Sequence, residues 1–236
     1  MTMNPADDTR LDLRPGLAGS AVALLVAAGC SVWGWFAIPG DARLPMHWNA
    51  SGEADRYVSK TQALLELPLI MLGLCVFMAV LPRVLPRRRH MASSARTYTA
   101  AWIGVLVLMT GLHAVSVVNG AGGQIPVSRV TVAGVGLLLV VLGNYLPKTR
   151  SNWAVGVRTP WTLQSEHSWK RANRMAGWLF VAHGLVVLAV AFLLPLPAVF
   201  LVLVVGVVVA SVLPVAYSWW AWRSDPRTSE AEAGGR

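Results

Sequence analysis

The chain has 236 residues, 55% hydrophobic and only 13% charged, with a formal net charge of +9, whereas an ordinary soluble domain carries about 25% charged residues. That composition excludes a soluble globular enzyme. Its basic residues are spread between apolar runs rather than gathered in one patch, so the positive charge reads as sidedness in a membrane and attraction to anionic lipid, with no nucleic-acid partner.

In chain order, residues 1–15 are polar and read as a mobile cytoplasmic tail. Uncharged runs then occupy 16–38, 98–118, 130–146, 175–194 and 198–222, and 62–81 holds one charge, Glu66. About 20 apolar residues at about 1.5 Å each span a hydrocarbon core about 30 Å thick. The expected fold is therefore all-α: a polytopic bundle of six transmembrane helices. Residues 223–236 read as a second mobile tail. With the amino terminus inside, the inner segments hold sixteen arginines and lysines and the outer segments four, which places both termini in the cytoplasm.

Cys30 and Cys75 lie inside predicted helices, where thiols pack as small apolar groups. The run 25–30 loosely resembles a lipoprotein cleavage box, but the apolar stretch continues past it through Trp33, Trp35 and Phe36, so no cleavage is expected. Pro68 and Pro214 are expected to kink the second and sixth helices. Gly134, Gly136 and Gly143 suit close helix approach in the fourth.

Two loops carry specified residues. The outer loop, 39–61, contains His47, Trp48, Asn49, Gly52, Glu53, Asp55 and Lys60. Asn49 to Gly52 is turn chemistry. His47, Glu53 and Asp55 are metal-ligand types without ligand spacing, so no metal and no cofactor is assigned. Asn49-Ala50-Ser51 is a glycosylation sequon only in a eukaryotic secretory setting. The structural alternative is a turn that caps the bundle and pins Trp48 at the interface.

The inner loop, 147–174, contains Asn152, Gly156, Arg158, Thr159, Pro160, Trp161, Thr162, Trp169 and Asn173. Pro160 biases Thr159 toward extended backbone, so 156–160 is expected as a non-helical turn returning Arg158 to the bundle. Thr162 or Ser165 can cap a following helix with Glu166 in its first turn. On that helix Trp169, Ala172 and Ala176 share a stripe apart from Lys170, Arg171 and Arg174. This is the pattern of a short interfacial amphipathic helix before the fifth span. Arg158 is expected mainly as an anchor for the loop, with a partner-docking surface as the alternative.

The phrase from Leu44 to Lys60 resembles the signature of a bacterial domain of unknown function found at the amino terminus of membrane proteins. The Gly156-Val157-Arg158-Thr159-Pro160-Trp161-Thr162-Leu163 core, with Asn152-Trp153 before it and Trp169 to Gly177 after it, is similar to the SdpI family of toxin-immunity membrane proteins. The likeness runs from the first helix to the fifth; the sixth adds only hydrophobicity. It implies a two-helix unit over 16–81, a four-helix unit over 98–222, protection against a secreted membrane-active peptide or protein toxin, and for some members a relay to a cytoplasmic repressor. Oligomeric state is not implied.

Glu66, His113 and His183 lie at membrane depth, where ionisable groups are functional candidates. Glu66 and His113 fall near the outer ends of their helices, close enough to pair. A small proton- or ion-coupled transporter using these three groups is the alternative function. No hydrolase, transferase or phosphate-loop motif is present, and no enzyme activity is expected.

Overall fold

The computed structural model describes residues 11–84 and 94–225. Most of both expected tails, and the basic residues Arg10, Arg87, Arg88, Arg89, Arg227 and Arg236 used for the sidedness argument, lie outside the described residues. Among the described residues, six helices are long and apolar enough to cross a membrane. They are α1 (Arg14–Ala37), α2 (Lys60–Val84), α3 (Ala95–Gly120), α4 (Val127–Tyr145), α6 (Glu166–Val190) and α7 (Leu196–Arg223), with a five-residue α5 (Pro160–Gln164) before α6. A 3-10 turn, Leu146–Lys148, follows α4. Large apolar side chains such as Leu25, Phe36, Leu69, Leu185 and Leu201 point outward, as a surface solvated by acyl chains requires. The chain is a multi-pass membrane protein. Two edges differ from the expectation: the residues at 14, 15 and 223, read as tail, are helical.

The amphipathic stretch before the fifth span is divided between α5 and the first turns of α6. Nothing between Arg174 and Met175 breaks a helix, so the stretch runs straight into the span. Its stripe of Trp169, Ala172 and Ala176 is buried against protein. Lys170, Arg174 and Trp178 are exposed on the other side of the helix. Pro68 and Pro214 lie inside helices that continue past them.

The outer loop adds a β-hairpin to the helical body. β1 (Arg43–Trp48) and β2 (Ala54–Ser59) pair antiparallel, with Leu44 opposite Val58. These two side chains join Ile38, Ala63, Leu64 and Val117 in an apolar cluster under the hairpin. A second cluster links α1, α2 and α3 through Ala27, Met71, Tyr98, Trp102 and Leu106. A third links α4, α6 and α7 through Val132, Val187 and Val199.

Helices α4 and α6 meet backbone to backbone at two pairs of glycines. A Cβ at Gly136 would stand 3.0 Å from the carbonyl oxygen of Gly184, and one at Gly143 would stand 2.7 Å from that of Gly177. The two glycines on each helix are seven residues apart, so two turns of antiparallel backbone meet without side chains between them. The expected packing role of Gly136 and Gly143 is thereby given partners.

Candidate functional site

The inner loop is held by buried amides and hydroxyls. Asn152 is fully buried. Its Oδ1 accepts the N–H groups of Ala154 and Val155 at 2.7 and 2.8 Å, and its Nδ2 donates to the Arg150 carbonyl at 2.7 Å and to Ser94 Oγ at 3.1 Å. One side chain thus shapes its own turn and ties it to the start of α3. Asn173, on α6, accepts the N–H of Val157 at 2.8 Å. Between them Gly156 has φ +119°, a conformation that L side chains rarely adopt. Trp169 is fully buried beneath the loop and donates through Nε1 to the Thr149 carbonyl at 3.1 Å.

Thr159 has the extended backbone expected before Pro160 and caps α5, its side chain accepting from the Thr162 N–H while Thr162 Oγ1 accepts from the Thr159 N–H at 2.8 Å. Thr162 therefore completes that cap, and Ser165 is the residue that caps α6. Trp161 Nε1 donates to Ser218 Oγ on α7, Thr159 Oγ1 lies 3.2 Å from the same atom, and Ser168 Oγ donates to the Ser218 carbonyl at 2.7 Å. Ser218 is a hub that joins α5, α6 and α7.

Arg158 takes a different place from the one expected. Its side chain is exposed and donates to the Trp153 carbonyl at 2.7 Å, within the loop. Anchoring falls to Asn152, Trp169, Asn173 and Ser218, because buried amides and an indole can be satisfied in that dry space at lower desolvation cost than a guanidinium. Arg158 instead lines an open cavity of about 570 Å³ with Trp153, Pro160, Leu163 and Gln164.

At the other end of the bundle the outer-loop residues divide by task. Asn49 Oδ1 accepts the N–H groups of Ser51 and Glu53, each at 3.0 Å, and Asn49 Nδ2 donates to Glu53 Oε2 at 3.3 Å. Gly52 turns with φ +83°. A Cβ there would stand 2.2 Å from the side chain of Leu196 at the start of α7, so the hairpin tip touches the last helix. His47 Nδ1 lies 2.6 Å from Asp55 Oδ1 on the solvent side. His47 and Asp55 thus engage each other while Glu53 turns to Asn49, and the three do not converge as metal ligands. Lys60 Nζ donates to the Ile38 carbonyl at 2.7 Å and stands 5.0 Å from the Trp35 ring centroid, closing the carboxyl end of α1. Trp48 is half-buried at the end of β1.

The three intramembrane groups occupy three separate environments. Glu66 accepts two contacts of 2.9 Å from Arg56 Nη2 and one of 2.9 Å from Gln62. His113 is buried and lies 2.9 Å from Ser31 Oγ, which donates to the Leu64 carbonyl at 2.7 Å. The expected Glu66–His113 pairing is not formed. Leu64, whose carbonyl accepts from the Ser31 hydroxyl that meets His113, and Glu66 are two residues apart on α2 and so point to opposite faces of it. His183 Nε2 lies 3.1 Å from the Leu203 carbonyl on α7, with its ring seated against Gly206.

Several residues in these networks carried little signal in the sequence. Ser94, Ser31 and Ser218 are single hydroxyls in or beside apolar helices, and Arg56 was only a charge in a loop. Arg129 donates to the Ala191 carbonyl at 2.7 Å and the Leu194 carbonyl at 3.1 Å, capping the outer end of α6. Asp225, inside the stretch 223–236 expected as a mobile tail, is buried and accepts from Ser165 Oγ, so the start of that tail is fastened to the cap of α6.

Residues 148–218 match the SdpI/YfhL protein family, and residues 22–72 match a domain of unknown function, DUF1648. The family match reaches Ser218, well into α7, so the sixth span contributes more than hydrophobicity; residues 73–147 fall outside both matches. The chain is similar to Immunity protein SdpI of Bacillus subtilis (strain 168), 26% identical over 151 residues that cover 63% of this chain and 69% of that protein. No solved structure matches the chain. With its six spans, the chain is a multi-pass protein of a bacterial cell membrane.

Proposed function

We propose that this chain, which carries an SdpI/YfhL family segment behind a DUF1648 segment, is an immunity-type membrane protein that protects its cell against a secreted membrane-active peptide or protein. The observation that carries the reading is a coincidence of two boundaries. The family segment, 148–218, is also the stretch in which Thr159, Thr162, Trp169, Asn173 and Ser218 lock the inner loop to α6 and α7, while Asn152 ties it to the start of α3. Both termini and this locked loop lie on the cytoplasmic side, and the hairpin lies outside, where a toxin arrives. The role is binding and signalling rather than catalysis.

Arg158 and Trp153, exposed on the inner face, are the residues through which a cytoplasmic regulator would be recruited. An exposed guanidinium beside an indole is the composition of a small protein-binding hot spot. The two-helix unit, 16–81, and the four-helix unit, 98–222, are the functional division of the chain; they meet through the cluster that α1 and α2 share with α3 and, outside, through the hairpin tip on Leu196.

Competition between wild-type cells and a strain lacking the gene, in co-culture with toxin-secreting cells of the same species, tests the reading. The deletion strain is expected to be lost and to be rescued by the intact gene. Equal survival of both strains would overturn it.

A further inference from the structure

Arg171, Arg174, Met175 and Trp178 fall on one stripe of α6, each three or four residues from the next along the face. With Tyr217 of α7 they line a small open cavity at the inner ends of the two helices. Arg174 is the last charge before the uncharged run that starts at Met175, and Trp178 is exposed one turn deeper. The cavity therefore stands where inner-leaflet headgroups give way to acyl chains.

Every polar side chain that lines it is a donor. Arg171 Nη1 donates to the Tyr217 hydroxyl at 3.4 Å, and a phenol that accepts there still has its own proton to give. Arg174 is exposed and presents its guanidinium fork, and Trp178 adds an indole N–H. Among the described residues no carboxylate pairs with either arginine. The acids of α6 and of the α7 end are engaged elsewhere: Glu166 Oε1 accepts the Ser151 N–H at 3.4 Å, and Asp225 accepts from Ser165 Oγ. Two other inner cations are placed differently, Lys148 over the Tyr145 ring and Arg223 over the Trp219 ring, each 5.0 Å from the centroid.

We infer that this cavity binds the phosphate of an anionic phospholipid of the inner leaflet, held by Arg171 and Arg174 with the Tyr217 hydroxyl as a third donor. Two planar forks match the several oxygens of a phosphate, which a monatomic anion lacks. Depth assigns that phosphate to a lipid, because a group held at Arg174 has the acyl region directly beneath it at Trp178. With no carboxylate in the lining, the ammonium of a zwitterionic headgroup would meet only like charge, so a net anionic lipid is favoured. The inference goes beyond the immunity reading, and neither depends on the other.

The test is native mass spectrometry of the full chain in detergent, titrated separately with dioleoylphosphatidylglycerol and dioleoylphosphatidylcholine. The first phosphatidylglycerol is expected to bind more tightly than the first phosphatidylcholine. Arg171→Gln and Arg174→Gln are each expected to weaken it about fivefold, the factor one basic contact with an anionic leaflet supplies. Arg223→Gln removes the same charge from the same end of the bundle and is expected to leave it unchanged. Should an arginine variant melt below wild type, Tyr217→Phe, which removes one hydroxyl, carries the test with a similar expected loss. Equal affinity for the two lipids would overturn the site, as would a loss in Arg223→Gln as large as that in Arg171→Gln, which would mean diffuse attraction to charge. Displacement of phosphatidylglycerol by inorganic phosphate would give the cavity to a soluble ligand and overturn the lipid assignment.

Discussion

Asn173 Oδ1 accepts the amide N–H of Val157, sixteen residues earlier, at 2.8 Å. The Cβ of any other residue at 156 would stand 2.6 Å from that same oxygen. Gly156→Ala therefore combines a left-handed backbone cost with loss of the Asn173 contact. A loss of about 1–3 kcal/mol is expected, read as a lower melting temperature in detergent. An unchanged melt would show that the loop is not fastened through Asn173.

Ser218→Ala removes one hydroxyl and leaves Trp161 Nε1 without its acceptor. The expected cost is about 1–2 kcal/mol. Trp161→Ala should lower the same melting temperature further, since it also empties the space filled by the indole. Their double variant is expected to lose less than the two single losses added, because both act on one contact.

Arg158 separates docking from anchoring. Its guanidinium is exposed and braces only the Trp153 carbonyl, so Arg158→Lys is expected to melt near wild type while losing the planar fork. Loss of regulator recruitment in this stable variant is the expected outcome, measured by membrane retention of the regulator. A large drop in melting temperature would return Arg158 to an anchoring role.

The six spans were legible because bilayer length and absence of charge are strong, local signals. The turn at Asn49 to Gly52 and the cap of the inner loop were legible for the same reason, being set by residues adjacent in the chain. The hairpin was not, because Pro45 and strands of six residues give weak alternation. The placement of Glu66 and His113 was not legible either. Their depth could be counted along α2 and α3, but their facing depends on helix rotation, which only Arg56 and Ser31 reveal. Arg158 was misplaced because a motif position says nothing about whether a side chain points into the bundle or away from it.

Lys60 links the hairpin side of α2 to the end of α1 through the Ile38 carbonyl. Lys60→Met keeps the apolar stem and removes the charge. The melting temperature is expected to fall by the equivalent of about 1–2 kcal/mol, with the effect unchanged by salt because the acceptor is a carbonyl at a half-buried site. No change would mean that the end of α1 is held by the apolar cluster alone.

Sidedness can be read with single cysteines at Ser51 and Gln164, both exposed. Gln164 is the better inner probe because its neighbour Ser165 is a buried cap. Ser51→Cys is expected to react with an impermeant maleimide in intact cells, and Gln164→Cys only after permeabilisation. Equal labelling in intact cells would reverse or remove the assigned orientation.

The most direct test of the immunity reading is a gain of function. The intact chain is expressed in a naive sensitive bacterium, the toxin fraction is added from outside, and membrane potential is followed with a voltage-sensitive dye. Cells carrying the chain should hold their potential while cells carrying an empty vector depolarise. Equal depolarisation, with the protein present and folded in the membrane, would contradict the account.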